Sequence, residues 1–168
     1  LEKYSGTDEA LRLVQASEKA VSELATFCQR HQIDCELRLD GACYIATNKA
    51  QIGSMTPVLE QLDKLGISSW SELGLTEAKR FSGTKAIEQA HFSKQGGSVH
   101  PAKLVQGLRR VALELGVDVY EKTPLTDLLE TDPPLLKTPQ GSIQAKKVVL
   151  AINAWMASRF KQFSRTMA

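Results

Sequence analysis

A chain of 168 residues with 42% hydrophobic content can bury a core and falls in the range of one domain or two small pieces. Its 21 basic and 19 acidic residues nearly cancel, which gives no sign of a nucleic-acid surface or a polyacidic partner. No apolar run approaches the roughly 20 residues needed to span a bilayer. Cys28, Cys35 and Cys43 are too few for a disulfide framework and lack the close pairing of a zinc site, so they read as reduced thiols of a cytoplasmic protein. The stretch opening on Leu1 and stopping at Met167-Ala168 is expected to be an internal fragment of a longer protein.

In chain order, about Thr7 to His31 predicts one long amphipathic helix, with Leu11, Val14, Val21, Leu24, Ala25 and Cys28 on one stripe and Thr7 or Asp8 as its cap. Cys35 to Leu39 and Ala42 to Thr47 predict two strands around an Asp40-Gly41 hairpin turn. Asn48 to Leu65 predicts helix, capped by Asn48, begun or kinked by Pro57 and stopped by Gly66. A short strand at Ser68 to Leu73, a brief helix from Leu75 to Phe81 capped through Thr76, and a strand from Ala86 to Ser93 follow. Gly96-Gly97 is expected to be the hinge between two units, ahead of a helix started by Pro101 and closed by a left-handed Gly116. That helix carries Leu104, Val105, Leu108, Val111, Ala112 and Leu115 on its buried face. Val117 to Tyr120 and Val148 to Leu150 read as strands buried on both faces, in a parallel or mixed sheet under the same helix. Between them, turns at Asp132-Pro133-Pro134 and Pro139-Gln140-Gly141-Ser142 leave a meander of three short strands.

Few residues invite a chemical role. His91 sits mid-strand with no second histidine or carboxylate pair beside it in sequence, so no metal site is expected. His31 ends a helix and His100 opens one; a solvated histidine is the plainer reading of each. Ser98 has no acidic partner or nucleophile elbow, so a hydrolase triad is not expected. Gly96-Gly97 lacks the Gly-x-Gly-x-x-Gly spacing of a phosphate loop.

Three segments in order, from Gly96 to Leu108, from Gly116 to Leu128 and from Gly141 to Trp155, have the form G-G-x-V-x-P-x-x-L-x-x-G-L, G-V-x-V-Y-E-x-T-x-L-x-x-L and G-x-I-x-A-K-x-V-V-L-A-x-N-A-W. Together they resemble the FAD-dependent D-amino-acid oxidase superfamily, which includes glycine oxidase, sarcosine oxidase and γ-glutamylputrescine-type oxidoreductases. The family's Gly-x-Gly-x-x-Gly and its C-terminal flavin motif are not among these residues. The resemblance implies an α/β (α+β mixed) fold, part of a Rossmann-like FAD-binding domain plus part of an antiparallel-sheet substrate domain. Residues 1–32 and 97–160 would belong to the first, 33–96 to the second, and 161–168 would begin the return to it.

The same resemblance implies FAD as cofactor, a small-molecule amine or amino acid as substrate, and oxidation of its C–N bond by hydride transfer. Leu125 would meet the adenine through its main chain. Ala151, Ile152 and Asn153 would lie near the ribose and pyrophosphate, where the family often has glycine. Taken without the family, these positions are ordinary strand ends. The catalytic residues are expected outside this stretch, and the other reading of the chain is a non-catalytic α/β module that binds no cofactor.

Overall fold

A computed structural model of the chain describes residues 6–161 and residue 164. It forms two compact units, Leu1–Asp118 and Val119–Ala168, so the division falls after Asp118 and Gly96-Gly97 lies inside the first unit. Most of the expected return segment, 161–168, lies outside the described residues.

The first unit runs α1 (Thr7–Arg30), β1 (Ala42–Ala46), a 3-10 turn (Lys49–Gln51), α2 (Thr56–Lys64), β2 (Trp70–Glu72), α3 (Leu75–Ser82), β3 (Gln89–Ser93) and α4 (Pro101–Glu114). The predicted helix from Asn48 is thus split: only a turn follows Asn48, and the helix proper starts where Pro57 supplies a fixed φ in its first turn. Three of these helices end in one way. In α4 the Gly116 amide bonds the Leu113 carbonyl and the Val117 amide bonds Ala112, with Gly116 at φ 82°. The Gly66 and Ile67 amides repeat this on Asp63 and Leu62 at the end of α2. α1 does the same through Gln32 and Ile33 onto Gln29 and Cys28, although a glutamine holds the left-handed position at φ 51°. This pairing satisfies helix carbonyls that would otherwise lack partners. Arg110 adds to it at α1, donating from Nη2 to the His31 carbonyl at 2.6 Å.

The turn at Gln32 sends Ile33 back under the helix. Ile33, Cys28, Cys35 and Val111 form one buried cluster, edged by Leu24, Phe27, Leu37, Val99 and Leu104. Ile33 presses so closely on α4 at Gly107 that a Cβ there would meet its Cγ1 at 3.1 Å. α4 therefore buries a narrower face than its pattern predicts: Val111 is 3% exposed, but Val105 is 63% and Leu115 72% exposed. Glu36 and the Lys103 ammonium pair at 2.6 Å across the α1–α4 junction. Hydrogen bonding and charge from Lys103 hold the Glu36 carboxyl below its ordinary value of 4.5. A folded value below the unfolded one contributes stability at higher pH that is lost as pH falls through the folded value. Lys103→Met is expected to flatten this acid limb, measured as thermal midpoints from about pH 6 to about pH 3.

The strands make one antiparallel sheet in the order β1-β3-β2, within the residues 33–96 where an antiparallel sheet is expected. The strand expected at Cys35 to Leu39 is reduced to an isolated bridge at Arg38. α3 covers one face: Ala78, Ile87 and Ala90 are buried with Cys43, Ile45 and Leu73 against them, and Phe81 and Phe92 stack at 5.3 Å. The predicted hairpin at Asp40-Gly41 does not form. Arg38 bridges Ser98 and Ala42 pairs with Ser93, so both arms lie along the same partner segment. From the first pair to the second, one side advances four residues and the other five, the one-residue offset of a bulge. Gly41 bends the chain there at φ 90°, donating to the Gly96 carbonyl at 3.1 Å.

The second unit runs β4 (Asp127–Leu129), β5 (Leu135–Thr138), β6 (Gly141–Gln144) and α5 (Trp155–Arg159). Its three strands are the predicted meander, antiparallel and in chain order. Asp127 and Lys137 face each other across the first pair and bond at 3.4 Å. Helices and sheets are therefore mixed, as the expected class requires.

The two apolar runs expected in a parallel or mixed sheet are not strands here. The Val117 amide is spent on the cap of α4, and Val117 is 52% exposed. Val149 is 89% exposed, and Val148 to Leu150 meet no partner strand among the described residues. A strand exists only where a neighbour answers its N–H and C=O groups, which local hydrophobicity cannot provide.

Candidate functional site

The four residues expected to meet a cofactor all lie in the second unit. Leu125 stands just before β4 and is half-buried; the next residue, Thr126, donates its amide to the Lys137 carbonyl at 2.9 Å, opening the sheet. The last bond of the meander is Ala145 N–H to the Pro134 carbonyl. The chain then runs through Val148 and Val149 to Ala151 with no backbone hydrogen bond among the described residues. Ile152 and Asn153 end the run by accepting from the Trp155 and Met156 amides, which starts α5. Asn153 has φ 50°, a left-handed conformation that asparagine adopts more readily than most residues.

Chemically, this segment offers peptide groups and small exposed side chains at Ala151 and Asn153, with no charged group among the four residues. Such a donor set suits a ligand held by main-chain N–H and C=O. It contains nothing that could move a proton. The left-handed Asn153 also supplies a backbone turn of the kind glycine takes, at the position where the resemblance expects glycine.

Two of the three histidines take structural places. His100 caps α4, its Nδ1 accepting from the Lys103 amide at 3.4 Å, and His31 stacks on Phe27 at 4.4 Å. His91 is 6% exposed on β3, in register between Tyr44 and Glu72. Its Nδ1 has no hydrogen-bond partner among the described residues, and the side chain borders a cavity of about 320 Å³ with Leu59, Leu62, Asp63, Trp70 and Glu72. Among the described residues no three His, Cys, Asp or Glu side chains converge as a metal site would require. Ser98 is held in its bridge to Arg38 by main-chain bonds at 2.9 Å both ways. Sequence pattern did not reveal that Cys28 and Cys35 face each other, their Sγ atoms 3.7 Å apart. The signal was the left-handed turn at Gln32, which has no glycine to announce it. No helix among the described residues is long and apolar enough to cross a membrane.

The chain is 26% identical over 159 residues to gamma-glutamylputrescine oxidoreductase of Escherichia coli (strain K12), covering 95% of this chain and 37% of that protein. It is 30% identical over 105 residues to glycine oxidase of Bacillus subtilis (strain 168), covering 62% of this chain and 28% of that one. The chain thus spans less than two-fifths of these relatives' length. Its fold matches the crystal structure of glycine oxidase from Geobacillus kaustophilus with a TM-score of 0.72 and 25% identity, over 87% of this chain and 40% of that one. The family model for FAD dependent oxidoreductases matches residues 3–167, and the chain belongs to that FAD-using family.

Proposed function

We propose that this chain is part of a flavin enzyme that oxidises the C–N bond of an amine or amino acid. The observation that carries this reading is the family match over residues 3–167, together with relatives named for a glutamylated amine and for glycine. FAD, when bound, supplies the electron-accepting chemistry that no amino-acid side chain can. The chain's own part is to bind and orient. Leu125, Ala151, Ile152 and Asn153 hold the cofactor through peptide groups, and residues 33–96 belong to the substrate side while 1–32 and 97–160 belong to the flavin side. Small amines or amino acids are the partners this chemistry takes.

Anaerobic addition of a primary amine or amino acid to the complete, flavin-loaded protein is expected to bleach its visible flavin absorbance. A complete protein that purifies colourless and takes up no FAD would overturn the reading and leave a non-catalytic α/β module.

The Asn153 turn gives a sharper test. Valine at φ 50° is strained by about 1–3 kcal/mol, whereas glycine is not. Asn153→Val in the complete protein is therefore expected to weaken FAD retention about fivefold or more, since about 1.4 kcal/mol is a tenfold change. Asn153→Gly is expected to keep it. Bound flavin per protein after dialysis is the measurement, and equal retention in both variants would remove Asn153 from the site.

A further inference from the structure

We infer that Cys28 and Cys35 form a redox-reactive pair, a modification site at which a peroxide closes a disulfide between the end of α1 and the segment that follows it. The two Sγ atoms are 3.7 Å apart and already share a hydrogen bond, Cys35 donating to Cys28. The backbone between them is fixed: the Ile33 amide bonds the Cys28 carbonyl at 2.8 Å, and the Cys35 carbonyl accepts from the His100 amide at 2.8 Å. Closing the bond brings the sulfurs from this contact to the roughly 2.05 Å of a disulfide. Both residues border a cleft of about 510 Å³ shared with Gln29, Gln32, Asp34 and Glu36; Cys28 is 4% and Cys35 1% exposed, so Cys28 is the sulfur a small oxidant reaches first.

The chemistry closes with peroxide as oxidant. One thiolate attacks a peroxide oxygen and the O–O bond breaks; the sulfur keeps a hydroxyl as sulfenic acid, and the departing hydroxide takes up the proton the thiol lost and leaves as water. The second sulfur then attacks the sulfenic sulfur, the S–S bond forms, and a second water leaves. Two thiols are oxidised by the loss of two electrons and two protons, and one peroxide is reduced. Burial together with the neighbouring Cys35 pushes the Cys28 thiol up, so the reaction is slower than at an exposed cysteine. Proximity compensates at the second step, because the partner sulfur is already in place. Cys43 belongs to the other buried cluster and lies against its own strand, with the Tyr44 carbonyl 3.9 Å from its sulfur. It has no such partner. Because the Cys35 carbonyl holds the first turn of α4, the disulfide ties the end of α1 to the start of α4.

Trypsin separates the two cysteines by cutting after Arg30 and Arg38, into peptides 20–30 and 31–38. The native full chain, treated with millimolar hydrogen peroxide, alkylated and digested without reduction, is expected to yield these two peptides joined. The joined mass should be lighter than the sum of the free peptides by the two hydrogens lost, and thiol reductant should restore the separate peptides. Cys28→Ser and Cys35→Ala should each abolish the joined species while far-UV circular dichroism stays native. If one variant fails to fold, the other carries the control. Recovery of both peptides as alkylated free thiols, or as separately over-oxidised sulfinic acids, would overturn the inference. So would a joined species containing Cys43 in place of either residue.

Discussion

Replacing Gly96 and Gly97 together by valine is expected to destabilise the first unit by about 3 kcal/mol or more, a large share of the 5–15 kcal/mol that holds a typical domain. The cause is close approach. Neither glycine has a positive φ, so backbone strain is not the argument. A Cβ at Gly97 would collide with the Arg38 carbonyl oxygen and sit 3.0 Å from Leu39 Cδ2; one at Gly96 would lie 2.8 Å from Ala42 Cβ. The carbonyl is not free to move, because it accepts the Ser98 amide at 2.9 Å in the bridge that anchors this bulge. A side chain at position 97 thus breaks the Arg38–Ser98 bridge and leaves its polar groups to find water. At roughly 2–4 °C per kcal/mol, the melting temperature should fall by about 6–12 °C. Gly141→Ala is the control, since nothing lies within 4 Å of a Cβ there and φ is ordinary. A double variant that melts with the parent would mean that the bulge opens without cost.

The same region shows which features the sequence carries and which it does not. Pro101 and Gly116 bound α4 as read, because each acts on its own backbone: one sets φ, the other takes a left-handed turn at φ 82°. The meander was equally legible, since Pro139-Gln140 links Thr138 to Gly141 in a two-residue turn. Asp40-Gly41 misled for the opposite reason. A glycine at φ 90° serves a hairpin turn or a bulge, and the choice is made by Gly96 and Ser98, more than fifty residues away. Val117 and Val148 to Leu150 carry the composition of buried strands, yet a ladder needs a second strand that their own sequence cannot specify. Gln32 was silent altogether. Its left-handed turn is imposed by Ile33 packing on Gly107 and by Arg110 holding the His31 carbonyl, and both are contacts with α4. The proposed cofactor segment rests on family pattern alone, because peptide groups leave no trace in residue type. Asn153 is the exception: its φ of 50° marks the one position where identity and backbone shape constrain each other.

Residues 1–168 by themselves are expected to bind FAD weakly or not at all, and to oxidise no amine. Dinucleotide affinity in a Rossmann-type domain rests on a glycine-rich first βα turn, where the backbone reaches the pyrophosphate at a helix N-terminus. No Gly-x-Gly-x-x-Gly occurs in these residues. On the proposed site they would offer main-chain contact at Leu125 and at Ala151 to Asn153, next to a helix of five residues. A main-chain hydrogen bond contributes about 1 kcal/mol net. A few of them fall short of the roughly 4–15 kcal/mol that association costs in lost freedom, before the ordering of a long flexible cofactor is counted. The exposed Val149 edge adds apolar area only if something covers it, and no described residue does. Titrating FAD into the isolated chain while following flavin fluorescence should therefore give no saturable change at micromolar cofactor, while the complete protein should saturate. Saturation of the isolated chain would instead place most of the binding energy in the second unit. Asn153→Val would then be the variant to titrate next, with Asn153→Gly beside it to separate backbone strain from lost side-chain contact.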